Sequence, residues 1–161
     1  MKWMWILVAA LLLGGCGAEE TVETVADVWA EPVMVVQRNL RTQLPENTAS
    51  PVSDGDGGQW YECDGFDVGV QTLAAGDVGA TVRSLTGFEK NALTVVETLQ
   101  EDCTRYDFIW VSTGEQGENV HRGLILDDGN FHYCLTASGE AEFAGEYKEV
   151  WQAIFDSAYL E

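Results

Sequence analysis

A single lysine, Lys2, precedes an apolar run from Trp3 to Leu13, which stops at Gly14-Gly15-Cys16. A bilayer span needs about 20 consecutive apolar residues. The shorter run is therefore expected to be an export leader over residues 1–15 that is cut away, not a transmembrane helix. Residues 16–31 are small and acidic (Glu19, Glu20, Glu23, Asp27), a composition that predicts a solvated tether. Valines 33, 35 and 36 with Met34 predict a strand within 32–44. The Asn, Ser, Asp and Gly content of 45–59 predicts a flexible loop. Asp54-Gly55-Asp56 within that loop invites a calcium reading, but the twelfth position of an EF-hand counted from Asp54 is Gly65, where a bidentate glutamate is needed.

Further along, Phe66, Val68 and Val70 alternate as a strand, and Ala80–Leu85 is expected to be a second one after the Gly76-Asp77 turn. Thr86 and Glu89 have capping-box spacing. Phe88, Ala92, Val95, Val96, Leu99 and Cys103 follow at steps of three and four, predicting an amphipathic helix. Tyr106–Val111 reads as a strand. Residues 120–126 and 131–137 flank Asp128-Gly129, a two-residue hairpin signal that pairs Leu126 with Phe131, Leu124 with Tyr133 and Arg122 with Leu135. One hairpin face is then mostly core, and the other carries His121, Gly123, Ile125, His132, Cys134 and Thr136. Phe143, Tyr147, Val150, Trp151, Ile154 and Phe155 predict a second amphipathic helix, with Ser138 as its cap. The expectation is one α+β domain over 32–161: a mixed, mainly antiparallel sheet with two amphipathic helices packed on it.

Leu13-Gly14-Gly15-Cys16 resembles the lipobox of bacterial lipoproteins. That resemblance implies cleavage before Cys16, a diacylglycerol and a fatty acyl chain such as palmitate on Cys16, and attachment to the bilayer through these chains. It places the domain in the cell envelope. Gly17 is not the aspartate that retains such proteins at the inner membrane, so in a two-membrane host the outer membrane facing the periplasm is favoured. The C-terminal stretch, with Phe131-His132-Tyr133-Cys134-Leu135-Thr136 followed by Glu140, Phe143, Tyr147, Trp151, Phe155 and Ser157, resembles the end of PsbP/Mog1-like domains over about 40 residues. That implies an α/β/α sandwich with a binding or assembly role and transfers no functional residue.

The formal charge is −19, from 27 acidic against 8 basic residues, which repels phosphate backbones and argues against nucleic acid as a partner. Cys63, Cys103 and Cys134 remain after lipidation, an odd number in an oxidising compartment. The expected disulfide is Cys63–Cys103, on the premise that both cysteines precede parallel neighbouring strands, with Cys134 free. His121, His132 and Cys134 share a face and are candidate zinc or copper ligands. The hairpin register nonetheless separates the two histidines by about 13 Å. Arg105, Asp107, Trp110 and Arg122 are candidates for a polar pocket, against the simpler reading that Arg122 pairs with Asp107. Trp110 and Trp151 fit the core, whereas Trp29 and Trp60 are expected at the surface. No Walker loop, GxGxxG, HExxH, GxSxG or CxxC motif occurs, and no cofactor is implied. The expected role is non-catalytic binding of an envelope protein or small ligand; the alternative is a metal-binding or redox lipoprotein using His121, His132 and Cys134.

Overall fold

A computed structural model describes residues 34–53, 57–114 and 117–161. The leader, Cys16, the tether and Asp54–Asp56 lie outside the described residues. No helix among the described residues is long and apolar enough to cross a membrane. The chain forms β1 (Leu40–Arg41), β2 (Val52–Ser53), β3 (Gln59–Glu62), β4 (Phe66–Ala74), α1 (Val78–Thr86), β5 (Val95–Leu99), β6 (Thr104–Gly114), β7 (Gly117–Asp127), β8 (Phe131–Glu140), α2 (Ala144–Asp156) and β9 (Tyr159–Leu160). Seven strands make one sheet in the order β2-β3-β4-β8-β7-β6-β5, and every ladder in it is antiparallel. Strands β1 and β9 pair separately.

Both sheet faces are covered, each by one helix. On the first, Leu124, Leu126, Leu135, Ala137 and Val68 pack against Tyr147, Trp151, Ile154 and Phe155 of α2. On the second, Ile125, Cys134, Phe108 and Trp110 pack against Val82 of α1, with Val78 and Leu85 at the margin. The α+β architecture with two helices thus holds, and its layering is that of an α/β/α sandwich.

Four local expectations fail, each for a physical reason. Residues 34–39 form no strand: Met34 and Val36 are 86% and 73% exposed. Their stretch is instead an arm fixed by Arg38, whose N–H donates to the Tyr133 hydroxyl (2.9 Å) and whose guanidinium meets Asp102 (2.6 Å). Residues 80–85 are helical because Asp77 caps α1, its carboxylate accepting the Gly79 N–H at 2.9 Å. Gly87 ends that helix at φ 78°, so Thr86 and Glu89 lie at the end of α1 and do not open the expected helix over 86–103. A short 3₁₀ turn (Lys90–Ala92) and the edge strand β5 take its place, and the three-and-four spacing there spans both elements. Ser138 does not cap α2. It sits in β8 opposite Asp67 and His121.

The central hairpin turns one residue later than expected. Asp127 pairs with His132, Leu124 with Leu135 and Arg122 with Ala137, which centres the turn on Gly129-Asn130. The Asp128 carboxylate accepts the Asn130 and Phe131 N–H groups at 2.9 and 2.8 Å and the Tyr133 hydroxyl at 2.9 Å. A side-chain acceptor thereby closes the turn from the position before its central pair. Because each β8 partner moves by two positions, every side chain keeps its face.

The Cys63–Cys103 disulfide is not made; both thiols are free, as is that of Cys134. Strands β4 and β6 are not parallel neighbours. They run antiparallel with β8 and β7 between them. Phe66, just after Cys63, is in register with Gly139, whereas Thr104, just after Cys103, is in register through Asp127 with His132. These rows lie seven residues apart, about 23 Å along the strands, far beyond disulfide reach.

Burial works to raise the Asp128 carboxyl, but the Asn130 and Phe131 N–H groups and the Tyr133 hydroxyl outweigh it and hold the group below its ordinary value. Stability from Asp128 is therefore present above the unfolded carboxylate range and lost as pH falls through the lower folded value. Chemical denaturation should find Asp128→Ala destabilised by about 2 kcal/mol at pH 7, with the deficit shrinking in acid. Alkylation of the denatured chain without reductant should label Cys63, Cys103 and Cys134 alike.

Candidate functional site

On the α1 face the helix covers the end of the sheet next to the central turn and leaves a cavity of about 420 Å³ toward the other end. Gly69, Gln71, Thr136 and Ser138 of β4 and β8 contribute to its lining. Trp60 of β3 stands on one side, His121 and Trp110 of β7 and β6 on the other, and Ser84–Thr86 at the end of α1 close the rim. Among the described lining residues there is no Asp, Glu, Lys or Arg, although the chain carries 27 acids. Three further hollows differ in character: one is lined by Glu118, Glu140 and Glu142, one by Glu62, Asp67 and Glu140, and one by Asp107 and Arg122 with apolar neighbours at the β5 edge. The α1-face cavity is the site that combines aromatic walls with converging polar groups.

Its shape follows from two glycines. Trp60 is in register with Gly69, and a Cβ at Gly69 would lie 2.6 Å from the indole and 2.8 Å from the Thr136 hydroxyl; only glycine lets the indole lie across β4. Gly123 lets Phe108 lie across β7 in the same way, with a Cβ there 2.4 Å from the Phe108 ring. Phe108 in turn contacts Trp110 (5.7 Å between centroids). Trp110 stacks on His121 with centroids 4.7 Å apart and planes 7° apart. The far nitrogen of the imidazole, Nε2, is 2.7 Å from the Ser112 hydroxyl.

The histidine and cysteine candidates do not gather into one ligand set. His121 is in register with Ser138, six residues along β8 from His132, a separation of about 20 Å. His132 is fully buried, its Nδ1 2.7 Å from the Thr81 hydroxyl of α1 and its Nε2 3.6 Å from the Asp127 carboxylate. It fastens α1 to the sheet. Burial pushes the Cys134 thiol up to about 12, so the free thiol stays protonated near neutral pH and is a poor nucleophile. Among the described residues no three His, Cys, Asp or Glu side chains are placed to share a metal ion.

The Arg105, Asp107 and Arg122 group is an ion-pair cluster on the opposite face. Arg105 binds Asp107 through two nitrogens (2.6 and 2.9 Å) and donates to the Phe155 carbonyl at 3.1 Å. Arg122 approaches Asp107 at 3.6 Å and lies over the Phe155 ring. Trp110, grouped with these residues by proximity in sequence, points to the other side of β6. Trp60 is exposed as expected, at 45%, but stands at the cavity wall. The feature that sequence reasoning missed is the apposition of Trp60, Thr136 and His121, which depends on strand order. The one available signal was the run of small residues at Gly69, Thr136 and Ser138 on a single sheet face.

The Ser112–His121 pair has the spacing of a nucleophile and its base. Among the described residues no carboxylate orients the imidazole, and its partner face is occupied by Trp110.

No family model and no curated protein matches the chain. Solved structures do. A protein of Bacteroides thetaiotaomicron superposes with a TM-score of 0.51 at 9% identity over 76% of this chain, which spans only 45% of that one. LpqN, described as involved in cell envelope biogenesis of Mycobacterium tuberculosis, gives 0.50 at 9% identity over 77% of this chain and 84% of its own. The solution structure of cyanobacterial PsbP from Synechocystis sp. PCC 6803 gives 0.45 at 11% identity over 92% and 99%. At such identities the first two likenesses concern the fold alone.

Burial lowers the affinity of His121 for a proton. The unfolded chain therefore takes up this proton first as pH falls below the ordinary histidine value of about 6.5, and His121 costs stability from that point down to its lower folded value. Proton NMR should find the His121 ring titrating below 6.5, and His121→Gln should remove that part of the acid destabilisation. A His121 titrating above 6.5 would contradict the burial of this ring.

Proposed function

We propose that the protein is an exported lipoprotein, anchored through acyl chains on Cys16, whose α+β domain binds a small molecule in the α1-face cavity without transforming it. The cavity carries the reading: a recess of about 420 Å³ between Trp60 and the Trp110–His121 stack has the size and the mixed aromatic and polar lining of small-molecule sites. Export and anchoring rest on the leader and on the lipobox-like Leu13-Gly14-Gly15-Cys16. In a host with two membranes the domain would face the periplasm from the outer membrane. Two or more acyl chains hold a domain at the bilayer stably, where one chain gives only reversible attachment. A binding role is supported further by the lack, among the described residues, of an orienting acid beside His121 and of a thiol poised to ionise.

Intact mass of the protein purified from membranes should show an N-terminus at Cys16 carrying diacylglycerol and acyl increments. Native mass spectrometry of the same material should find a small molecule retained by the natural chain and lost from Trp60→Ala. An unlipidated N-terminus would overturn the anchoring. Turnover of p-nitrophenyl acetate abolished by Ser112→Ala would overturn the non-catalytic role.

A further inference from the structure

The cavity's geometry narrows the chemistry of its occupant. Strand order places β8 and β4 between His121 on β7 and Trp60 on β3, so the two side chains are rooted three strand spacings apart, about 14 Å. Part of that gap is filled from each side. The Trp60 indole lies across Gly69 of β4, and the imidazole stands on β7. One face of that imidazole is taken by Trp110, which lies on β6. Since the two planes are nearly parallel, the other imidazole face looks in the opposite direction, across Ser138 and Thr136 of β8 toward Trp60. Small residues at both β8 positions leave the space between the indole and the imidazole open.

We infer that the site takes a planar heteroaromatic ring without a negative charge, which enters between His121 and Trp60 and continues the Trp110–His121 stack. This rests on the proposal that the cavity is a small-molecule site. Flat π systems stack favourably in offset parallel arrangements, and the existing 7° stack supplies one such surface already ordered. Around it stand the Gln71 carboxamide and five hydroxyls, on Ser84, Thr86, Ser112, Thr136 and Ser138. Amides and hydroxyls both donate and accept, which suits a heterocycle edge carrying ring nitrogens, carbonyls or amino groups. Without a lysine or arginine in the described lining, an anionic substituent would lose its hydration and gain no counter-charge, and the net charge of −19 repels it further.

The test uses the mature full chain in lipid nanodiscs, with empty nanodiscs as the blank. The probes are three uncharged planar compounds of increasing size (indole, adenosine and riboflavin), the anionic counterparts AMP and FMN, and maltose as a saturated neutral ring. The expected result is saturable binding of at least one neutral planar probe, with upfield ring-current shifts of its ring protons. Affinity for adenosine should be at least tenfold above that for AMP, or for riboflavin at least tenfold above that for FMN, and the affinity of any planar probe that binds should be at least tenfold lower in Trp60→Ala. Ser138→Phe, which fills the gap beside His121, should abolish binding while far-UV circular dichroism stays unchanged. Should that variant misfold, the Trp60→Ala result decides. Failure of all three planar probes to bind below 1 mM, or AMP or FMN binding as tightly as its neutral partner, would overturn the inference. Maltose binding that depends on Trp60, with no planar probe bound, would overturn the planar class and leave the small-molecule reading intact.

Discussion

The Asp128 carboxylate, held by the Asn130 and Phe131 N–H groups, decides where the central hairpin turns. The β7–β8 register follows from that position, and the cavity follows from the register. With the turn on Gly129-Asn130, Ser138 stands opposite His121 and Thr136 opposite Gly123, so the space in front of the imidazole is lined by small side chains. A turn one residue earlier would put Thr136 opposite His121 and the buried Cys134 opposite Gly123. The same carboxylate receives the Tyr133 hydroxyl, which in turn accepts the Arg38 N–H. One turn residue therefore also fixes the entry of the N-terminal arm.

The two helices act differently on the two faces. Helix α2 seals its face with Tyr147, Trp151, Ile154 and Phe155, and the ion pairs of Arg105, Asp107 and Arg122 lie at its margin. Helix α1 has nine residues. Asp77 starts it and Gly87 stops it, so it covers Ile125 and Cys134 but not the rows of Thr136 and Ser138. The opening of the cavity is thus set by helix length. His132, fully buried against Thr81, holds α1 on the part of the sheet that it does cover.

Periodicity in the chain was a good guide where an element is buried on one or both faces over several residues. Strands β4, β6, β7 and β8 and helix α2 could be read that way, and so could the two faces of the hairpin, because a shift of two in register leaves them unchanged. It misled where elements are short. The pattern over residues 80–85 after the Gly76-Asp77 turn suggested a strand, and the Asp77 cap on α1 overrode it. Leu99 and Val96, 84% and 56% exposed on an edge strand, imitated a helical stripe that is interrupted by the 3₁₀ turn at Lys90–Ala92. The cavity was illegible for a different reason. Trp60, Trp110 and His121 come together only through a strand order in which β8 inserts between β4 and β7, and the spacing of residues along the chain carries no record of it. The same strand order separates Cys63 from Cys103.

The register of the central hairpin is the claim on which the cavity depends, and backbone NMR of the isotopically labelled protein tests it most directly. Cross-strand nuclear Overhauser contacts are expected to link the backbones of His121 and Ser138, and of Gly123 and Thr136. Contacts linking His121 with Thr136 and Gly123 with Cys134 would contradict it, and the cavity between Trp60 and His121 would not form as described.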